Sequence, residues 1–446
     1  MHLRIQIKNV TMVNEGRRFL GTLVIDDNRI EEIIEGVDMN STIPLDRTID
    51  GTGCFLLPGV IDDHVHFRDP GLTAKGDFCS ESRAAAAGGV TTVLDMPNCV
   101  PQTTTEEAFE EKWKIAAAKS VVNYGFFFGA TAGNAYELVN LDVRKVAGIK
   151  LFMGASTGGM IVDNERALRA IFENARIPIM AHCEDSRLIA ENEAKAILAY
   201  GEDPAMVHFP EIRSAEACLR STEHAIRLAK ETGARLHLAH LSTAAELALI
   251  DPTNPLITAE ACVGHLLFSE RSYAQQGARI KVNPSIKTPS DRAALREGLT
   301  NGKIFTIGSD HAPHRLSEKV GGCVRAASGM PIIQFSLVSM LGMVDQGLLT
   351  LEDVVRLMCH NPAKLFDIEN RGFLREGYIA DLVMVRPNVP WMLTPNRIQS
   401  KCNWSPLEGR VFHWRVERTF CNGFPIYNRG NITDEKFRGQ PVCFSR

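Results

Sequence analysis

A chain of 446 residues can bury a large core and is longer than one ordinary domain. Its formal net charge of −4 and lack of basic runs exclude a nucleic-acid-binding surface, and no apolar stretch reaches the ~18 residues of a membrane span. Eleven cysteines without a C-x-x-C pair read as reduced thiols packed in a core, so a cytoplasmic protein is expected rather than a disulfide framework.

The charged, alternating start MHLRIQIKNV is unlike a secretion signal. Residues 3–50 read as short strands, LRIQIKNVTMV and then GTLVIDDNRIEEII, separated by turn-like polar stretches. From residue 55 the texture changes. Eight apolar, β-branched runs follow at 55–63, 90–96, 121–128, 148–153, 177–182, 235–240, 256–261 and 304–309. Helical stretches lie between them, clearest at 105–120, 164–176 and 214–233. Eight near-continuous apolar strands alternating with helices predict a (β/α)8 barrel; an open doubly wound sheet would want a G-x-G-x-x-G turn that is missing. The stretch 262–303 reads as a long loop, and long loops in barrels are usually functional. Beyond it, YIADLVMVRP and GRVFHWRVERTFCNGFPIYN return to short strands. The expected organisation is a barrel over 55–370, with a small β-sandwich built from residues 1–54 and 371–446.

Barrel enzymes work at the C-terminal ends of their strands. There the sequence sets His64 and His66 after the first run, Lys150 in the fourth, His182 and His240 closing the fifth and sixth, and Asp310 after the eighth. Each has a plainer reading alone. A lone histidine at a strand end is usually a hydrogen-bonded structural residue, and Asp310 could cap a helix. A lysine inside GIKLFM is harder to dismiss, because an unpaired buried ammonium is costly. Together the six point to a divalent-metal site, with Lys150 converted by CO2 to a carbamate that bridges two ions. Two such ions sharing a hydroxide hydrolyse an amide, with an aspartate moving the proton. Arg68, sharing a strand face with His64 and His66, adds a bidentate fork for a carboxylate, unless it merely pairs with Asp69. Asn98 after a proline reads equally as a turn residue.

These segments are familiar as a set. HVHFRDPG, DMPN, GIKLFMG, VNPSIK and SDHAPH, in this order, resemble the long, barrel-plus-sandwich dihydroorotases of the amidohydrolase superfamily. The resemblance implies an enzyme that interconverts N-carbamoyl-L-aspartate and L-dihydroorotate. It implies one ion, zinc, on His64, His66 and Asp310, a second on His182 and His240, and carboxylated Lys150 between them. Some relatives bridge with an aspartate, and Asp163 lies downstream. Arg68, Asn98 and His314 would hold the substrate carboxylate, and Asn283 would face the ring. A homo-oligomer, with a dimer favoured, and association with aspartate carbamoyltransferase are implied as well. The rivals are a hydantoinase, dihydropyrimidinase or allantoinase, and a non-catalytic assembly subunit. The hydantoinase group carries a tyrosine five residues past the lysine, where this chain has Ala155.

Overall fold

The computed structural model describes residues 3–154 and 159–446; Ala155 lies outside the described residues. The N-terminal segment forms β1 (Arg4–Asn14), β2 (Arg17–Asp26), β3 (Arg29–Glu35), β4 (Arg47–Asp50) and β5 (Phe55–Pro58). The barrel strands are β6 (Val60–Val65), β7 (Val90–Asp95), β8 (Asn123–Gly129), β9 (Val146–Met153), β10 (Ile179–Cys183), β11 (Leu236–Leu238), β12 (Ile257–Cys262) and β13 (Thr306–Gly308). The C-terminal segment adds β14 (Leu382–Arg386), β15 (Trp391–Met392), β16 (Val411–Phe412), β17 (Arg415–Cys421), β18 (Phe424–Asn428) and β19 (Asn431–Ile432).

Strands β6 to β13 are parallel neighbours in chain order, and the ring closes where Val65 bridges to His311 and the His66 amide donates to the His311 carbonyl at 2.8 Å. The expected barrel is present, strand for strand. Its helices begin where short polar side chains accept from orphan amides: Thr105 from Ala108, Asn164 from Ala167, Ser214 from Ala217. The stretch 262–303 is no bare loop, since it holds helices at Val263–Leu267, Tyr273–Gln276 and Pro289–Gly298.

The two termini build one nine-stranded sheet, ordered β19-β18-β17-β14-β5-β1-β2-β3. It branches at β1, whose first half also pairs with β4 and whose second half pairs with β5. Ile5, Ile7, Leu23, Ile25, Leu56, Leu382 and Phe420 form its buried core.

The run 55–63, read as one strand, is two. Phe55–Pro58 belongs to the terminal sheet, and the barrel strand begins only at Val60. Both pieces are buried on both faces, so hydropathy does not separate them. Gly59 makes the crossing: a Cβ there would sit 2.1 Å from Thr91 Oγ1, so only glycine permits the approach.

Candidate metal centre

Every ligand candidate reaches one cavity at the C-terminal mouth of the barrel. His64, His66, Lys150, His182, His240 and Asp310 line it together with Arg68, Asn98, Asn283, Phe152 and Ser328. Asp163 is exposed and lines a separate depression, so it is not brought to this cavity. His314 lies behind the wall, 3.1 Å from an Arg68 Nη and 3.2 Å from Lys75 Nζ.

The ligand atoms fall into two groups. Asp310 Oδ1 is 3.2 Å from His66 Nε2 and 3.6 Å from His64 Nε2. These three can hold one ion. On the other side, His182 Nδ1 lies 2.9 Å from His240 Nε2. Lys150 lines the same cavity, and its Nζ is buried without a hydrogen-bond partner among the described residues. An unpartnered ammonium is a poor neighbour for cations, whereas a carbamate on the same nitrogen would supply the missing anion. The donor set therefore fits two divalent ions if Lys150 is carboxylated.

Outer partners fix the imidazoles. His66 Nδ1 meets Asn98 Oδ1 at 2.6 Å, and His64 Nδ1 meets Glu260 Oε2 at 2.8 Å. His182 Nε2 meets Glu184 Oε2 at 2.8 Å, and Arg213 pairs with that same oxygen. Each contact occupies one ring nitrogen and leaves the other facing a second ligand side chain, Asp310 for His64 and His66, and His240 for His182.

Burial, with Lys150 nearby, drives the His64 imidazolium down to about 3, and burial lowers His66 to about 4. Burial thus favours the neutral imidazole that a metal ligand must be. Burial would raise Asp310, but His64 and His66 overcome it and hold the carboxylate ionised, below the usual range. Burial lowers Lys150, making the neutral amine that CO2 requires more available.

Three of these residues, Arg68 (φ 71), His240 (φ 36) and Asp310 (φ 48), adopt left-handed backbone. Each such non-glycine residue costs roughly 1–3 kcal/mol, a strain concentrated just past the strand ends that must aim side chains inward. The His240 amide is tied to Glu260 Oε2 at 2.8 Å. The amides of Ser309, which precedes Asp310, and of His64 itself both donate to Asp62 Oδ1.

Glu260, Glu184 and Arg213 were missed by sequence reasoning. Glu260 was legible by the rule that drew attention to Lys150, because a carboxylate in ITAEA interrupts a buried strand. Burial lifts it to about 7. Glu184 and Arg213 carry no comparable mark. The first histidine of SDHAPH, His311, faces away: its Nε2 pairs with Glu81 at 2.8 Å, and its Nδ1 accepts from the Ile332 amide at 3.0 Å.

An eight-stranded barrel with imidazoles, an aspartate and a buried lysine at its mouth is the architecture of a metal-assisted hydrolase, and the chain belongs to the amidohydrolase family, whose profile matches residues 55–423. It is a cyclic amidohydrolase. Its sequence is similar to the dihydroorotases of Methanosarcina mazei (33% identity, covering 98% of this chain and 97% of that one) and Methanosarcina acetivorans (32%, 98% and 94%). Among solved structures it resembles the L-hydantoinase from Arthrobacter aurescens, with a TM-score of 0.92 and 29% identity over 99% of this chain and 100% of that one.

Proposed function

We propose that the protein is a dihydroorotase that interconverts N-carbamoyl-L-aspartate and L-dihydroorotate in pyrimidine biosynthesis. One observation carries the reading beyond its family. Arg68 is buried, lines the ligand cavity, and has no carboxylate paired with it among the described residues. A buried guanidinium lacking an anion is costly, and a substrate carboxylate beside the reacting amide supplies the missing charge.

In this reading His64, His66 and Asp310 would hold one divalent ion, zinc by the family resemblance, His182 and His240 would hold the second, and a carboxylated Lys150 would serve both. Bound there, the ions would polarise the substrate carbonyl and provide a nucleophilic water. The Asp310 carboxylate would take up the proton released by the attacking water and deliver it to the departing ring nitrogen during hydrolysis, and would run the same transfer backwards in cyclisation. Arg68 and Asn98 hold the substrate carboxylate, Asn283 faces the ring, and His314 acts through Arg68. Chemistry is assigned to residues 55–370, with 1–54 and 371–446 as support. A cytoplasmic location, a homodimer and association with aspartate carbamoyltransferase belong to the same proposal.

The likeness to an L-hydantoinase favours a second reading, in which the ring carries no carboxylate. A non-catalytic subunit is disfavoured because all six ligand side chains are present. The deciding measurement is metal content together with hydrolysis of dihydroorotate, hydantoin and dihydrouracil by the purified protein. Dihydroorotate is expected to dominate; equal or faster turnover of the uncharged rings would overturn the assignment.

A further inference from the structure

Strands β15 and β16 pair with each other, and the segment between them, residues 393–410, crosses to the mouth of the barrel. It is anchored twice beside the centre. Glu81 accepts from the Ser400 hydroxyl and the Lys401 amide while it holds His311. Further along, Trp404 is 2% exposed and donates its indole N–H to the His314 carbonyl at 2.7 Å. The Arg279 guanidinium lies 5.2 Å from the Trp404 ring and also donates to the Ser405 carbonyl, fastening the segment to the barrel.

The contact with His314 leads directly to Arg68. Arg68 Nε donates to the Pro313 carbonyl at 3.1 Å, and one Nη faces His314 Nε2 at 3.1 Å. The turn 313–314 is therefore the seat of the arginine, and Trp404 holds that turn from the far side. Trp404 does not line the cavity and touches no ligand.

We infer that Trp404 is a positioning residue for recognition of the substrate carboxylate, so that a C-terminal segment sets the aim of Arg68 and thereby the preference for an anionic ring. The inference rests on the dihydroorotase reading. A tryptophan that merely fills space would, when shortened, weaken the fold and depress every substrate alike. One that aims Arg68 matters only when the substrate presents a carboxylate.

The test is Trp404→Phe, which keeps a ring and deletes the N–H. Its kcat/KM for dihydroorotate should fall about three- to tenfold, the effect of one hydrogen bond, chiefly through KM. Residual hydrolysis of dihydrouracil and the metal content should not change. In an Arg68→Met background the same replacement should have almost no effect on dihydroorotate, because the group it acts through is gone. Trp404→His, which retains a ring N–H, is the comparison should Phe melt the chain, and should keep more of the dihydroorotate preference than Trp404→Leu. Equal losses on both rings, full additivity with Arg68→Met, or wild-type kinetics in Trp404→Phe would each overturn the inference. A wild-type protein without dihydroorotase activity would remove the proposed function and this inference together.

Discussion

The Nδ1 atom of His182 faces Nε2 of His240 across 2.9 Å, while the opposite nitrogen of His182 is held by Glu184. Burial works against the Glu184 carboxylate, but Arg213 and His182 keep it ionised, down to about 2. An ionised Glu184 fixes the His182 proton on Nε2 and leaves a lone pair on Nδ1, aimed at a second imidazole. A tetrahedral zinc ion with bonds of about 2.0–2.1 Å would hold a pair of such nitrogens about 3.3 Å apart, a small displacement from this geometry. Two ions per chain are therefore expected by elemental analysis. A chelator should abolish turnover, and divalent ions should restore it. His182→Asn should lose about one ion per chain, a change that can be read without any assay of activity. Full activity in protein verified as metal-free would end the reading.

Lys150 is expected to carry CO2 on Nζ. The nitrogen has no hydrogen-bond partner among the described residues, and burial lowers its affinity for a proton. Lys150→Ala should bind less metal and lose activity, with partial rescue by short carboxylic acids that occupy the vacated space. Native mass spectrometry should find the added CO2 in the wild type and not in the variant. A structure with metals bound and the lysine unmodified would reject the assignment.

Acid should unfold this chain through histidines that have nothing to do with metal. His237 is held between Thr258 and Thr306 at 2.8 and 3.1 Å, His265 bonds the Pro284 carbonyl, and His360 spans the Gly372 carbonyl and the Glu15 amide. Burial lowers them to about 3, about 4 and about 4 respectively. The unfolded chain takes up protons near pH 6.5, before the folded one can, so stability is full above that value and falls from pH 6.5 to about 4 for His265 and His360 and to about 3 for His237. At pH 5 each contributes a loss of about 2 kcal/mol, and three together approach the whole stability of an ordinary domain. Melting temperature followed from pH 7.5 to 5 should drop steeply below 6.5. His360→Gln should flatten the slope if it folds. A flat profile would show that these imidazoles protonate freely in the folded state.

The barrel and its ligand strands were legible because a parallel barrel imposes a regular alternation, and because metal ligands must stand at strand ends where hydropathy breaks off. His240 stood out for that reason, and Lys150 because an ammonium interrupts a buried strand. The division at Pro58–Gly59 was illegible, since both sheets demand buried residues on both faces. Contacts such as Glu184 to His182 and Trp404 to His314 were illegible for another reason: their partners are fixed by the folded backbone, and neither pattern nor spacing links them. His314 sits where SDHAPH suggested, but its ring is turned to Arg68 and Lys75, a choice made by tertiary packing.

The preference for an anionic ring should reside in Arg68. Arg68→Met leaves a desolvated substrate carboxylate without its partner, and removing one side of such a pair typically costs ~2–5 kcal/mol, about 30- to several-thousand-fold in kcat/KM. Metal content should not change, because among the described residues Arg68 bonds Pro313 and His314 and none of the six metal-ligand candidates. Arg68→Lys should recover little, since an ammonium cannot reproduce the planar fork and would lose one of these two anchors. Dihydrouracil should be a poor substrate for the wild type and lose little further in either variant. Steady-state kinetics on the two rings read this contrast directly. Near-normal turnover of dihydroorotate by Arg68→Met would remove the carboxylate assignment and leave the metal centre standing, which would return the hydantoinase reading to first place.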